Sequence, residues 1–276
     1  MKERGSRERR ERMKISGAKR FVLPVLLALL LFLAARDYLG YHYYYGFQEE
    51  IGRAKSIESS FLRLESLLEK AVRFSGNPLF RKELGRLYFE RALGENQFGS
   101  PERRDHFLDL SRESLVRAAN GNPLDAFALY DLGRVYLLYN YPLLTYLDKA
   151  KAYFRRALEL NPADEFLNVN IVFIYLTQWE FLSGEEKDYV LGRISEAKAA
   201  CPDFVPKLRK RCREELGDEA KLEAVLDAAG EAAAGRRPHP GLSSAPFTPA
   251  SLFRGPGSAG GPGLEEPGGA DVALWK

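Results

Sequence analysis

The stretch that decides the fold runs from Asp125 to Pro162, DAFALYDLGRVYLLYNYPLLTYLDKAKAYFRRALELNP. Its apolar residues recur at spacings of three and four with almost no alternation of period two, the pattern of amphipathic helices rather than strands. It closes on Asn161-Pro162, a helix stop. Similar stops stand at Gly76-Asn77-Pro78, Asn122-Pro123 and Cys201-Pro202, so the successive prolines are 45, 39 and 40 residues apart. Periodicity of this length marks a stacked helical repeat. Five residues before the last three prolines lies an alanine (Ala118, Ala157, Ala197), and eight residues before them lie Leu115, Phe154 and Ile194. A small side chain lets a neighbouring helix approach, and the large apolar one a turn earlier fills the space between layers.

The helical pattern extends outward from this stretch, from Phe47 to Ala234, so an all-α fold is expected. On the N-terminal side, residues 47–76 carry Ile51, Ala54, Ile57, Phe61, Leu64, Leu68, Ala71 and Val72 at helical spacing and predict one amphipathic helix. Before it, Phe21 to Ala35 form a run without a charged or strongly polar group. Such a run supplies roughly 22 Å of helix against a hydrocarbon core of about 30 Å, so flanking residues must complete the span. Tyr38, Leu39, Tyr41, Tyr43, Tyr44 and Tyr45 suit an interfacial belt, with Arg36 snorkelling outward and Pro24 in the first helical turn. Residues 21–45 are therefore read as a transmembrane helix whose partner is the lipid bilayer.

The leader, residues 1–20, holds nine Lys or Arg against three Glu, whereas Arg36 is the one basic residue among the fifteen that follow Ala35. That asymmetry predicts a cytoplasmic N-terminus and an extracytoplasmic bulk, periplasmic in a bacterium. A cleaved signal peptide ending at Ala34-Ala35 is the competing reading. Leu33 stands where a small residue is preferred, and the leader is long for a signal, so an uncleaved anchor is expected.

On the C-terminal side, residues 203–234 mix Leu208, Leu222, Val225 and Leu226 with many charges, which suits capping helices with a break at Gly217. Pro and Gly make up 15 of the 41 residues from Arg236 onward. Segment 236–276 is expected to be disordered, because it has too little apolar surface to offset its ordering entropy. Phe247, Phe253 and Trp275 within it are read as incidental rather than as docking anchors.

The formal net charge of +3 is concentrated in the leader, which leaves the remainder slightly acidic and argues against a nucleic-acid-coating protein. Cys201 and Cys212 are too few for a disulfide framework and lack the paired spacing of a zinc site. His42, His106 and His239 fall in three separate regions and do not suggest a shared metal or acid–base site. The Gly-rich run from Gly255 to Gly263 is interrupted by prolines and precedes no helix, so no phosphate-binding loop is read there. Adjacent carboxylates such as Glu185-Glu186 occur at a helix start, where they favour the dipole. No catalytic residue, metal or cofactor is expected, and the chain is read as a binding protein rather than an enzyme.

The unit between Asp125 and Pro162 resembles the tetratricopeptide repeat: Leu132, Gly133 and Tyr136 match its first helix, and Ala150, Phe154, Ala157 and Pro162 its second. The preceding unit has Leu84, Gly85 and Tyr88, then Leu115, Ala118 and Pro123, with an insertion around Gly94 to Arg103. The following unit keeps Tyr175, Ile194, Ala197 and Pro202 but has Ile171-Val172 in place of Leu-Gly, which predicts a wider spacing of its helices. The resemblance implies three helix pairs over 79–202 in a short α-solenoid. It also implies a concave groove lined by the first helix of each pair, formed here by Lys82, Arg86, Phe127, Tyr130, Arg134, Leu137, Phe166, Val169, Asn170 and Phe173. Arg86 and Arg134, which follow their glycines in matching places, would accept a carboxylate or acidic peptide with Lys82. The expected function is a membrane-anchored scaffold or adaptor that holds a protein or peptide partner in a cell-envelope assembly. A cytosol-facing chaperone or import receptor is disfavoured by topology and by the missing clamp residues, and an enzyme with a site in the solenoid is the remotest alternative.

Overall fold

A computed structural model describes residues 3–54, 56–139, 145–216 and 219–235. The tail over 236–276, the turn at 140–144 and the break expected at Gly217 lie outside these residues. Every regular element among the described residues is helical: α1 (Glu3–Arg53), α2 (Ile57–Phe74), α3 (Pro78–Phe98), α4 (Pro101–Gly121), α5 (Ala126–Tyr139), α6 (Leu147–Leu160), α7 (Glu165–Thr177), α8 (Gly184–Ala200), α9 (Phe204–Glu215) and α10 (Glu219–Gly235), with one 3-10 turn at Trp179–Phe181.

The helices begin and end where local chemistry directs. Asn77, Ser100 and Asp164 accept backbone N–H bonds at the starts of α3, α4 and α7, and Pro78 and Pro101 occupy first-turn positions that need no N–H. Asp125 does the same for α5, accepting from the N–H groups of Phe127 and Ala128 at 3.0 and 3.1 Å. At the other ends, Ala71, Ala118, Ala157 and Ala197 are buried and offer their carbonyls to the N–H groups of Ser75, Asn122, Asn161 and Cys201. The alanine periodicity is thus a C-terminal turn repeated four times, and α2 shares it.

α3 packs against α4 and α5 against α6 through glycine. A Cβ on Gly85 would lie 2.6 Å from Leu115 Cγ, and one on Gly133 would lie 2.4 Å from Phe154 Cε1. Each glycine sits seven residues after the start of its helix, at Pro78 or Ala126. The Ser111 hydroxyl donates to the Gly85 carbonyl at 2.7 Å, a buried bond open only to helices this near. Val172 holds the corresponding place in α7, and α7 touches α8 far less extensively than the two preceding pairs touch each other. The insertion around Gly94 to Arg103 is absorbed as helix: α3 and α4 have 21 residues each, against 14 in α5 and in α6. Beyond α8, α9 lies on α7 and α10 on α8, with Phe204, Leu208, Cys212, Leu222 and Val225 buried between them.

The N-terminal third departs from expectation. Pro24 lies in the interior of α1 rather than in its first turn, because the helix already begins at Glu3. Residues 47–76 do not form one helix. The chain leaves α1 after Arg53, Ser56 caps α2 by accepting from the Ser59 N–H, and α2 returns antiparallel along α1. Phe47, Phe61, Leu64 and Leu68 have their apolar faces on the same side as α3, and the hairpin buries all four with Leu84, Leu87 and Tyr88. The tyrosines divide accordingly. Tyr43 stacks on Phe74, Tyr44 stacks on Phe80, and the Tyr41 hydroxyl accepts from Asn77, whereas Tyr38 and Tyr45 are exposed. Across residues 22–39 every side chain is exposed, and α1 is the one helix among the described residues long and apolar enough to cross a membrane.

Between α6 and α8, the nearly buried Lys151 places Nζ 2.8 Å from Glu186, which also closes a capping box with Ser183. Burial opposes the Glu186 charge, but Lys151 and the Ser183 N–H hold the carboxyl below the usual glutamate range.

Two tests follow from this packing. Gly133→Ala should lower stability by about 1–3 kcal/mol through overpacking, while Gly94→Ala, in open space within α3, should raise it by about 0.5–1 kcal/mol in thermal denaturation. Glu186→Gln should cost about 2–3 kcal/mol at neutral pH by stripping Lys151 of its counter-charge. A carboxyl depressed in the folded state stabilises above its unfolded range and loses that contribution as pH falls, so the deficit should fade in melts taken below the ordinary glutamate range.

Candidate functional site

Six of the residues expected to line a groove lie together on α3, α5 and α7. Lys82, Arg86, Phe127, Tyr130, Arg134 and Phe166 line one open cleft of about 400 Å³ together with Asp131. The helices place these residues by register: Lys82 and Arg86 are four apart on α3, as are Tyr130 and Arg134 on α5, so each pair shares a face. The aromatic wall is continuous. The Phe166 ring meets Tyr130 edge-on at 5.8 Å and Phe127 at 6.1 Å, and Phe166 remains 53% exposed.

The other expected residues are not presented to the cleft. Leu137 and Val169 are buried in the core. Phe173 is buried beneath the Arg211 guanidinium, which lies 4.3 Å from its ring. Arg211 also donates to the Asn170 side chain, whose own amide donates to the Phe166 carbonyl at 2.6 Å. The cause is α9, which packs on α7 and covers that end of the groove with a side chain 41 residues away in sequence from Asn170.

The electrostatics of the cleft also differ from a receptor for carboxylates. Lys82 Nζ lies 2.8 Å from Asp125, and Arg86 Nε lies 2.5 Å from Asp131 and its NH1 3.2 Å from Glu83. Arg134 lies flat over Phe89 at 4.3 Å, with Glu90 at 3.6 Å and Asp131 at 3.8 Å. Three cations therefore face four carboxylates, and each cation already has a counter-charge within the fold. Sequence reasoning missed Asp131. Its signal was a lone carboxylate inside the apolar run of α5, immediately before Leu132 and Gly133. Burial pushes the Asp131 carboxyl up, and Arg86 and Arg134 pull it back. Burial likewise opposes the Arg86 charge, but Asp131 and Glu83 raise its hold on the proton. The short contact and the persistence of guanidinium charge make this an ion pair at neutral pH. Glu83 is also pushed up by burial, against the pull of Arg86 and Lys82.

Away from the groove, Cys201 and Cys212 are both free and buried, and burial pushes the Cys212 thiol up to about 11. Such a thiol is a poor nucleophile at neutral pH. His42 lies edge-on to Tyr43 and His106 beside Phe107, on different helices.

Arg86→Ala leaves the Asp131 carboxylate without its main counter-charge and should destabilise the fold by about 2–3 kcal/mol, less than for a wholly buried pair because Arg86 is one-third exposed. Adding Asp131→Ala should recover part of that loss, giving a coupling of at least about 1 kcal/mol in a double-mutant cycle followed by chemical denaturation. No model of a known protein family matches the chain, and comparison with curated protein sequences returns no match.

Proposed function

We propose that the chain is a membrane-anchored adaptor whose helical stack, built like a short tetratricopeptide-type solenoid, holds a protein or peptide partner in the cleft along α3, α5 and α7. One observation carries this reading. Residues from three successive first helices, chosen by a repeat register, converge on one open cleft with an exposed aromatic side chain at its mouth. Burial of such a ring on binding contributes apolar area and a flat face for stacking, which is how binding surfaces concentrate affinity. The internal carboxylates shape the kind of partner. With Lys82, Arg86 and Arg134 already paired, the cleft offers no net positive field, so recognition rests on the exposed Phe166 ring, backed by half-buried Phe127 and buried Tyr130, rather than on carboxylate capture.

The anchor belongs to the same proposal. α1 is read as crossing the bilayer once, with the basic leader cytoplasmic and α2–α10 on the extracytoplasmic side, supported by the exposed apolar face over residues 22–39 and the charge asymmetry around it. Such a protein concentrates its partner at a membrane surface, as an envelope assembly requires.

A photo-crosslinking amino acid placed at Phe166 in the full chain should yield discrete adducts in intact membranes. The same residue at Phe181, more exposed but at the α7–α8 turn, should not. Equal adducts from both positions, or none from Phe166, would remove the cleft as the binding site.

A further inference from the structure

We propose that the edge of the helical stack formed by the α2–α3 and α4–α5 turns rests on the headgroup layer of the bilayer that α1 crosses, so that the domain is seated on the membrane rather than tethered to it. This rests on the reading of α1 as a membrane span. The first support is continuity: α1 runs from Glu3 to Arg53 without interruption, so the apolar segment and the first helix of the domain are one continuous helix. Residues 22–39 have no buried side chain, and burial begins at Gly40. Eighteen helical residues span about 27 Å, close to a hydrocarbon thickness of about 30 Å, which puts Gly40 at headgroup depth.

The second support is the register between α1 and α2. A Cβ on Gly40 would lie 2.5 Å from Ser75 Cβ, Tyr43 stacks on Phe74, Gly46 faces Leu67, and Glu50 pairs with Arg63 at 3.1 Å. The two helices are therefore antiparallel and in contact along about three turns of α1, from Gly40 to Glu50. The C-terminus of α2 is level with Gly40, and so is the α2–α3 turn that follows it.

The third support extends this level to the next turn. The Asn77 amide donates to the Tyr41 hydroxyl at 2.9 Å, which holds the start of α3 against α1. Pro78 lies so near Gly121 that a Cβ there would come within 2.6 Å of Pro78 Cγ. Lys82 holds Asp125 at 2.8 Å. The α4–α5 turn thus sits beside the first turn of α3, on the edge that Gly40 marks.

The chemistry of that edge fits a headgroup layer. Leu124, in the α4–α5 turn, is 72% exposed, and an acyl–headgroup boundary accommodates such a side chain. Lys70 and Arg73 are exposed near the end of α2, and Arg36 is exposed on α1 just before the domain begins, so three cationic side chains, with Asp37 and Glu69 beside them, stand at the same level. Anionic lipid headgroups complement the three cations.

The test uses the full chain reconstituted into liposomes that contain anionic lipid and a small fraction of nickel-chelating lipid, with a nitroxide spin label at Leu124→Cys or at Phe181→Cys. The parent chain, whose two thiols are buried, gives the labelling background. Relaxation enhancement by headgroup nickel should be several-fold greater at position 124 than at 181. Charge reversal of the paired variant Lys70→Glu/Arg73→Glu should reduce it. Equal enhancement at the two positions in protein that resists alkaline extraction would overturn the seating and leave the membrane span standing. Protein released by alkaline extraction would overturn the span, and the seating with it.

Discussion

The close approach of two helices within a pair is the constraint on which the rest of this structure depends. At Gly85 and Gly133 the neighbouring Leu115 and Phe154 side chains occupy the volume that a Cβ would need. That approach lets one large apolar residue fill the space between the two helices, and a buried alanine near the end of the second helix lets the next pair come near in turn. Where valine replaces glycine, at Val172, the pair opens, and α9 and α10 lie against α7 and α8. The widening is compensated by a different cap. Asn168, fully buried, donates to the carbonyls of Pro162 and Asp164 and accepts from Arg193, tying α7 to the turn before it and to α8.

The same principle operates between α1 and α2, with a different consequence. Gly40 lets the last residues of α2 touch α1 at the level where the exposed apolar segment ends. A tether would have placed Gly, Pro or Ser there; this chain places a glycine inside a helix and a stacked pair of aromatic rings beside it. The N-terminal helix is therefore part of the helical stack, and its orientation is inherited by every pair that follows.

The cleft shows how an ion pair within a fold alters the chemistry that a row of cations suggests. Lys82, Arg86 and Arg134 share one face, but Asp125 and Asp131 share it too. These pairs cross between α3 and the start and middle of α5, so they tie neighbouring helix pairs together. Charge that serves this purpose is already neutralised within the fold, and the Phe166 ring is left exposed.

Helical class, the apolar N-terminal segment and the helix stops were legible in the sequence, because each depends on contacts within a few residues. Lys82, Arg86, Phe127, Tyr130, Arg134 and Phe166 could be grouped from the sequence because the regular spacing of its helix stops carries a side-chain direction from one helix to the next, and they line one cleft. The tertiary structure alone decided that α2 turns back along α1, that Pro24 lies within a longer helix, and that Arg211 covers Asn170 and Phe173. It alone paired Arg86 with Asp131, 45 residues along the chain. These outcomes depend on which distant side chains meet, and local periodicity carries no record of that.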